Sequence, residues 1–367
     1  MYLCGMITLF NDFPAMVFSS SIPDVGFRIS STRAVVKMTV THGSDPAEVP
    51  YEETLYPDRN GDIYVTDIDL IMAAYSERWI RFYLAVSIIE QRVDSELNVS
   101  LIDSRNLTTT QVVCCRANIV GYTPSAFCSS HFLTLLDWPR KTSLGRKELL
   151  SYIGSEGATV NRIFDDGSSS AGGATTLQYG DGYRILDVSP DNFVAANKKL
   201  VKYQVIAGNR KQWYVVDYSG DIDISPVLLF VNSFGVQEVA YCEGAHHQVS
   251  SFDRKQARIG KLKESYHIEE TESFKADTGY LSFPMAAWWR DVLRSKDIEV
   301  LPVTDGAVVI DGGKPVIITS QKAELSNEAD HLPRFTFEYE YADRNHNIWE
   351  QPREGRIFDN TFDHTFN

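Results

Sequence analysis

Cysteine is scarce in this chain of 367 residues: five in all, at positions 4, 114, 115, 128 and 242, with no CxxC spacing. An odd, scattered set supports neither a disulfide framework nor a zinc site. In a strand, adjacent Cys114 and Cys115 would point to opposite faces and serve as small apolar filler. Positive charge is also short. Lys and Arg number 35 against 49 Asp and Glu, and the net charge of −14 opposes binding to phosphate backbones, so nucleic acid is not an expected partner. No window approaches the ~20 apolar residues needed to cross a bilayer, and no membrane insertion is expected. The first residues, MYLCGMITLFNDFPAMVF, lack a basic segment and are interrupted by Asn11, Asp12 and Pro14. They do not read as a signal peptide.

Catalytic signatures are missing too. There is no GxSxG, no HExxH and no GxGxxG after a strand. Gly312-Gly313-Lys314 lacks the remaining residues of a phosphate loop and reads as a turn. His246-His247 beside Glu243 reads as an exposed loop, because adjacent residues of a strand do not converge on one metal ion. A glycan hydrolase needs two facing carboxylates, and the sequence alone pairs none. No catalytic residue is assigned.

What is abundant is aromatic and β-branched sequence, with 18 Tyr, 19 Phe and 6 Trp. This predicts a mainly β, multidomain protein of sandwich- or barrel-like units with a few short helices. Four regions are expected: an N-terminal sandwich-like domain over 1–122, a central β domain over 123–245, a C-terminal β domain over 246–349, and a tail over 350–367. The densest apolar stretch is 226–242, PVLLFVNSFGVQEVAYC. It predicts a hairpin reversing at Asn232-Ser233-Phe234-Gly235 and buried on both faces.

Local signals fill in the rest. Thr66 is placed to cap a helix with the stripe Ile68, Ile71, Met72, Tyr75. Thr123-Pro124-Ser125 reads as a linker, 143–153 as containing a short helix, and 165–173, DDGSSSAGG, as a flexible loop. Strands are expected over 256–262 and 265–274. The clearest helix covers 283–295, where Met285, Trp288, Trp289, Val292 and Leu293 make a core stripe rather than a ligand platform. In 335–341, Phe335, Phe337, Tyr339 and Tyr341 share one face of a strand. Arg254, Lys255, Arg258, Lys261 and Lys263 form a basic run, read either as a patch for an acidic partner or as a charged edge strand.

One cluster resembles a calcium loop. Asp58, Asn60, Asp62 and Asp69 stand at relative positions 1, 3, 5 and 12, but Ile63 occupies the position that needs Gly. A hairpin turn at Asn60-Gly61 followed by a strand and a capped helix explains the same residues without an ion. No cofactor is therefore expected, with calcium as the alternative. Asp221 and Asp223 read as a solvated turn.

Four stretches, TLYPDRNGDIYVTDIDLI (54–71), LLFVNSFGVQEVAYC (228–242), FTFEYEYADRNHNIW (335–349) and FDNTFDHTF (358–366), resemble tail-associated proteins of Bacteroidales phages and prophages. The resemblance implies a structural component made in the bacterial cytoplasm and carried into a virion or particle. It implies β domains, a homo-oligomer and contacts with other virion or surface proteins, and it supplies no catalytic residue. Phe358, Phe362 and Phe366 of the tail are candidates for docking between subunits. The alternative is a surface glycan-binding or adhesion module with Trp138, Trp213 and Trp349 stacking on sugar rings.

Overall fold

Alternation decides how the N-terminal region folds. Ala34, Val36, Met38 and Val40 of the strand Arg33–Thr41 are fully buried, and each lies beside its register partner on Arg81–Val93. The computed structural model describes residues 7–180, 182–219, 225–259, 261–323 and 332–343. In it a sheet ordered Met16–Phe18, Thr110–Val113, Arg81–Val93, Arg33–Thr41, Glu48–Leu55 also carries Val99–Asn106 on Arg81–Val93. A small sheet of Thr8–Leu9, Val25–Arg28 and Asp62–Val65 shares its core through Phe27, Ile63 and Val65. The helix Ile68–Arg78 buries Ile68 and Met72 in that core. Its cap is Asp67 at φ 58°, without a side-chain capping bond, in place of the expected Thr66.

The central region pairs Arg140–Thr142, Arg210–Val216, Leu200–Ala207, Ala158–Phe164 and Ser169–Gly173 in one sheet, and Leu149–Ile153, Tyr183–Asp187 and Thr175–Gly180 in another. Tyr152, Val160, Tyr203 and Tyr214 fill the space between them. Three expectations are corrected here. The stretch 143–153 holds the strand Leu149–Ile153 instead of a helix, because all five residues are buried and both of its faces meet apolar neighbours. Thr123-Pro124-Ser125 is no linker but the start of the helix Pro124–Ser130, with Thr123 Oγ1 accepting from the Ala126 N–H. The small residues of 165–173 turn at Gly167 and then form the edge strand Ser169–Gly173.

The C-terminal sheet runs Gln237–Tyr241, Val227–Val231, Ile298–Leu301, Lys314–Lys322, Thr336–Tyr341, Leu262–Asp277, His246–Ile259. The hairpin 227–241 is therefore part of it, and this sheet crosses the expected boundary at 245. The helix Phe283–Arg294 packs on one face with Trp288, Trp289 and Val292 buried, as the stripe predicts. Phe335, Phe337, Tyr339 and Tyr341 point inward from their strand, as expected. The expected strand 256–262 is corrected: the chain reverses where Ile259 faces Leu262, so the basic run caps a long hairpin whose first strand is the sheet edge. His246-His247 opens that strand instead of lying in a loop, and the His246 ring stacks on Phe274. The fold is mainly β, and no helix among the described residues is long and apolar enough to cross a membrane.

Candidate functional site

The hairpin 227–241 presents different chemistry on its two faces and at its turn. Leu228, Phe230 and Ala240 pack under the helix Phe283–Arg294, while Val227, Leu229, Val239 and Tyr241 meet Leu149 and Val308 on the other side. Its turn is held from within. Asn232 Oδ1 accepts from the Phe234 N–H at 2.8 Å, and Gly235 takes the positive φ of 76° that closes the reversal. From outside, Asp291 Oδ2 accepts from the Ser233 N–H at 3.1 Å and Asp291 Oδ1 from the Ser233 hydroxyl. Phe234, fully buried, stacks on Phe127 and meets Phe18 in a cluster that also contains Val113 and Ile153. All three regions of the chain thus converge on this turn.

Beside the hairpin lies a network of buried charge. Glu238 replaces an apolar residue on the helix-facing side, where Trp288 Nε1 donates to its Oε2 at 3.0 Å and Thr134 Oγ1 at 3.1 Å. The Asn232 amide donates to its other oxygen. Arg140 pairs with Glu148 at 3.0 Å and lies 3.9 Å from Glu238. Burial outweighs these partners and raises the Glu238 carboxyl to about 7, and burial also raises Glu148.

The network forms one wall of a cleft of about 240 Å³. Trp138 (50% exposed) and Tyr280 (71% exposed) stand at its rim. Inside, Arg146 pairs with Glu243 at 3.1 Å and Lys141 reaches the same carboxylate at 3.3 Å. The side-chain atoms Arg146 Nε and Ser282 Oγ are buried without a hydrogen-bond partner. Among the described lining residues Glu243 is the one carboxylate, so the cleft does not supply the facing pair that glycoside hydrolysis uses. It can stack a planar or sugar-like face on Trp138 and offer hydrogen bonds from its floor.

A second feature contains the basic run Arg254, Lys255, Arg258, Lys261 and Lys263, which the sequence offers either as a patch for an acidic partner or as a charged edge strand. Among the described residues, the hairpin of His246–Ile259 and Leu262–Asp277 pairs with a third strand over Ser273–Asp277 alone. From residue 250 to 272 it stands off as a two-stranded arm, with Phe252 and Ile268 each about half exposed (52% and 51%). The sequence signal was the polar run ESYHIEETES (264–273), which offers no regular apolar face to a core.

The other expected site residues are dispersed. Asp58 Oδ1 accepts from the Asn60 and Asp62 N–H groups at 2.8 and 2.9 Å, and Asp62 pairs with Arg28 at 2.6 Å. Asp69 lies in the first turn of its helix. Among the described residues no three His, Cys, Asp or Glu side chains form a metal-holding group, so the four calcium candidates are not brought together. The turn at Asn60-Gly61 exists but is not a hairpin: Glu48–Leu55 and Asp62–Val65 belong to different sheets. Trp213 is half-buried with Lys202 over its ring. Asp221, Asp223, Trp349, Phe358, Phe362, Phe366 and the whole 350–367 tail lie outside the described residues, as does Cys4.

No protein-family model matches the chain. No curated protein matches it either.

Proposed function

We propose that this protein is a non-enzymatic assembly component that works through protein–protein contacts, in a phage tail or comparable particle. The observation that carries this reading is the arm over residues 250–272. A two-stranded hairpin on its own is marginal in water, and this one exposes Phe252, Tyr266 and Ile268, with no third strand on this part of it among the described residues. Such an element gains most from a neighbouring chain. The phage-tail setting comes from the resemblance of the four sequence stretches and implies manufacture in the bacterial cytoplasm before incorporation.

The test is absolute mass in solution across a range of concentrations, for the full chain and for a variant in which residues 250–272 are replaced by Asn-Gly. Val249 pairs directly with Ser273, so a two-residue turn closes the shortened hairpin. The full chain is expected to associate and the shortened chain to be monomeric. A full chain that stays monomeric throughout, or an equal mass for both, removes the support.

A second reading, glycan binding, is favoured by Trp138 at the cleft rim. It predicts saturable quenching of tryptophan fluorescence by glycans, lost in Trp138→Ala. A flat response over a broad panel sets it aside.

A further inference from the structure

Two strands of the arm bring a particular order of side chains onto one face. Along the first strand Phe252, Arg254 and Arg258 alternate onto the same side. Directly opposite residues share a face, which adds Glu272 opposite Ser250, Glu270 opposite Phe252, Ile268 opposite Arg254 and Lys263 opposite Arg258. Read from tip to base, the rungs of this face carry Arg258 with Lys263, Gln256 with Ser265, Arg254 with Ile268, Phe252 with Glu270 and Ser250 with Glu272. The register shifts between Lys255 and Gln256, and the apolar pair Ile268 and Phe252 lies diagonally at the centre. Cations stand on one side of an exposed apolar centre and carboxylates on the other. The Ser250-to-Arg258 span is about 27 Å at roughly 3.4 Å per residue.

We propose that this face docks on the same face of a second copy of the chain, with the two arms antiparallel about a two-fold axis. The inference rests on the assembly reading above and names its partner. A two-fold contact requires one surface to complement itself, residue i meeting j while j meets i. Rotating the arm end for end lays Arg254, Arg258 and Lys263 of one copy near Glu270 and Glu272 of the other. Phe252 and Ile268 then meet their counterparts at the centre and leave water. A parallel arrangement would set cations against cations and is disfavoured for that reason. Each copy carries a net charge of −14, so two copies repel at long range, and the pairing of tip cations with base carboxylates acts within about a Debye length of contact.

The test is a charge swap in the full-length chain. The tip variant is Arg254→Glu, Arg258→Glu, Lys263→Glu, and the base variant is Glu270→Lys, Glu272→Lys. Each variant alone carries like charges at both ends and is expected to self-associate on the order of tenfold more weakly or worse. An equimolar mixture restores both contacts, so mixed dimers should form with close to the original affinity. Dissociation by the arm replacement, combined with charge variants that still associate alone, would place the arm on another surface. That outcome overturns this inference and leaves the assembly reading standing. Variants that fail to associate even when mixed also overturn it. If arm replacement leaves the mass unchanged, the assembly reading falls and takes this inference with it.

Discussion

The indole N–H of Trp288 meets Glu238 Oε2 at 3.0 Å, joining the helix Phe283–Arg294 to the strand Gln237–Tyr241 by a buried polar bond beside an apolar core. The two residues also explain each other. A carboxylate at this depth requires donors, and a Trp this deeply buried requires an acceptor.

Removing the donor should expose that dependence. Trp288→Phe keeps an aromatic ring against Phe230 but leaves Glu238 one donor short, at a cost of about 2–3 kcal/mol. Urea unfolding of Trp288→Phe, Glu238→Gln and the double variant measures their coupling. Additive losses would show that the bond does not contribute.

Glu238 also sets a pH dependence. Burial, opposed by Arg140, Asn232 and Trp288, raises its carboxyl from the ordinary 4.5 to about 7. The folded state therefore holds this proton more tightly than the unfolded chain. Its contribution to stability is complete below about 4.5 and is lost as pH rises through 7, a difference of roughly 1–3 kcal/mol. The component should vanish in Glu238→Gln, whose amide does not titrate. Unfolding midpoints for both proteins at pH 5, 6, 7 and 8 check this, and parallel curves would assign the slope to other groups.

How much of this was legible beforehand differs by element. The hairpin 227–241 could be read because its apolar runs and Asn-Ser-Phe-Gly link are local signals, and the helix with its Trp stripe is likewise a local period. Partnership was not legible. Asn60-Gly61 makes a sound turn, but only the three-dimensional pairing reveals that its flanking strands enter different sheets. Leu149–Ile153 is short and apolar throughout, a pattern that periodicity cannot divide between helix and strand. Glu238 and Arg140 lie 98 positions apart, and nothing local marks either as buried. The arm was read as two ordinary strands because its composition reports polarity and says nothing of which strands pair beside it.

The thiols give a sharper statement than composition allows. Cys114, Cys115, Cys128 and Cys242 are all buried, and burial raises the first three to about 11, 12 and 11 and Cys242 further still. At pH 8 they are protonated and enclosed, so neither condition for reaction with a thiol reagent is met. In Cys4→Ser, where these four are the remaining cysteines, the native protein should give no rapid colour with a disulfide reagent, and the denatured protein should give four equivalents. Rapid labelling of even one native thiol would reveal local opening at that site.

The turn of the central hairpin should govern whether the chain unfolds as one unit. Phe234 is fully buried, with its ring 5.3 Å from Phe127 and 6.4 Å from Phe18, so three regions lose a shared contact if it is truncated. Phe234→Ala removes that contact and leaves a cavity, at a cost of about 3–5 kcal/mol. A matched loss inside one region is Phe82→Ala, since Phe82 is equally buried but belongs to the N-terminal core. If the junction couples the regions, Phe234→Ala should broaden or split the denaturation transition and lower its apparent m-value, because parts of the chain then unfold separately. Phe82→Ala should instead destabilise the N-terminal region first while leaving the junction contacts in place. Tryptophan emission offers a regional probe, as Trp79 packs on the N-terminal core while Trp288 and Trp289 lie under the C-terminal sheet. A single sharp transition for Phe234→Ala, followed identically by fluorescence and far-ultraviolet circular dichroism, would mean that the regions are coupled elsewhere and that Phe234 contributes packing alone.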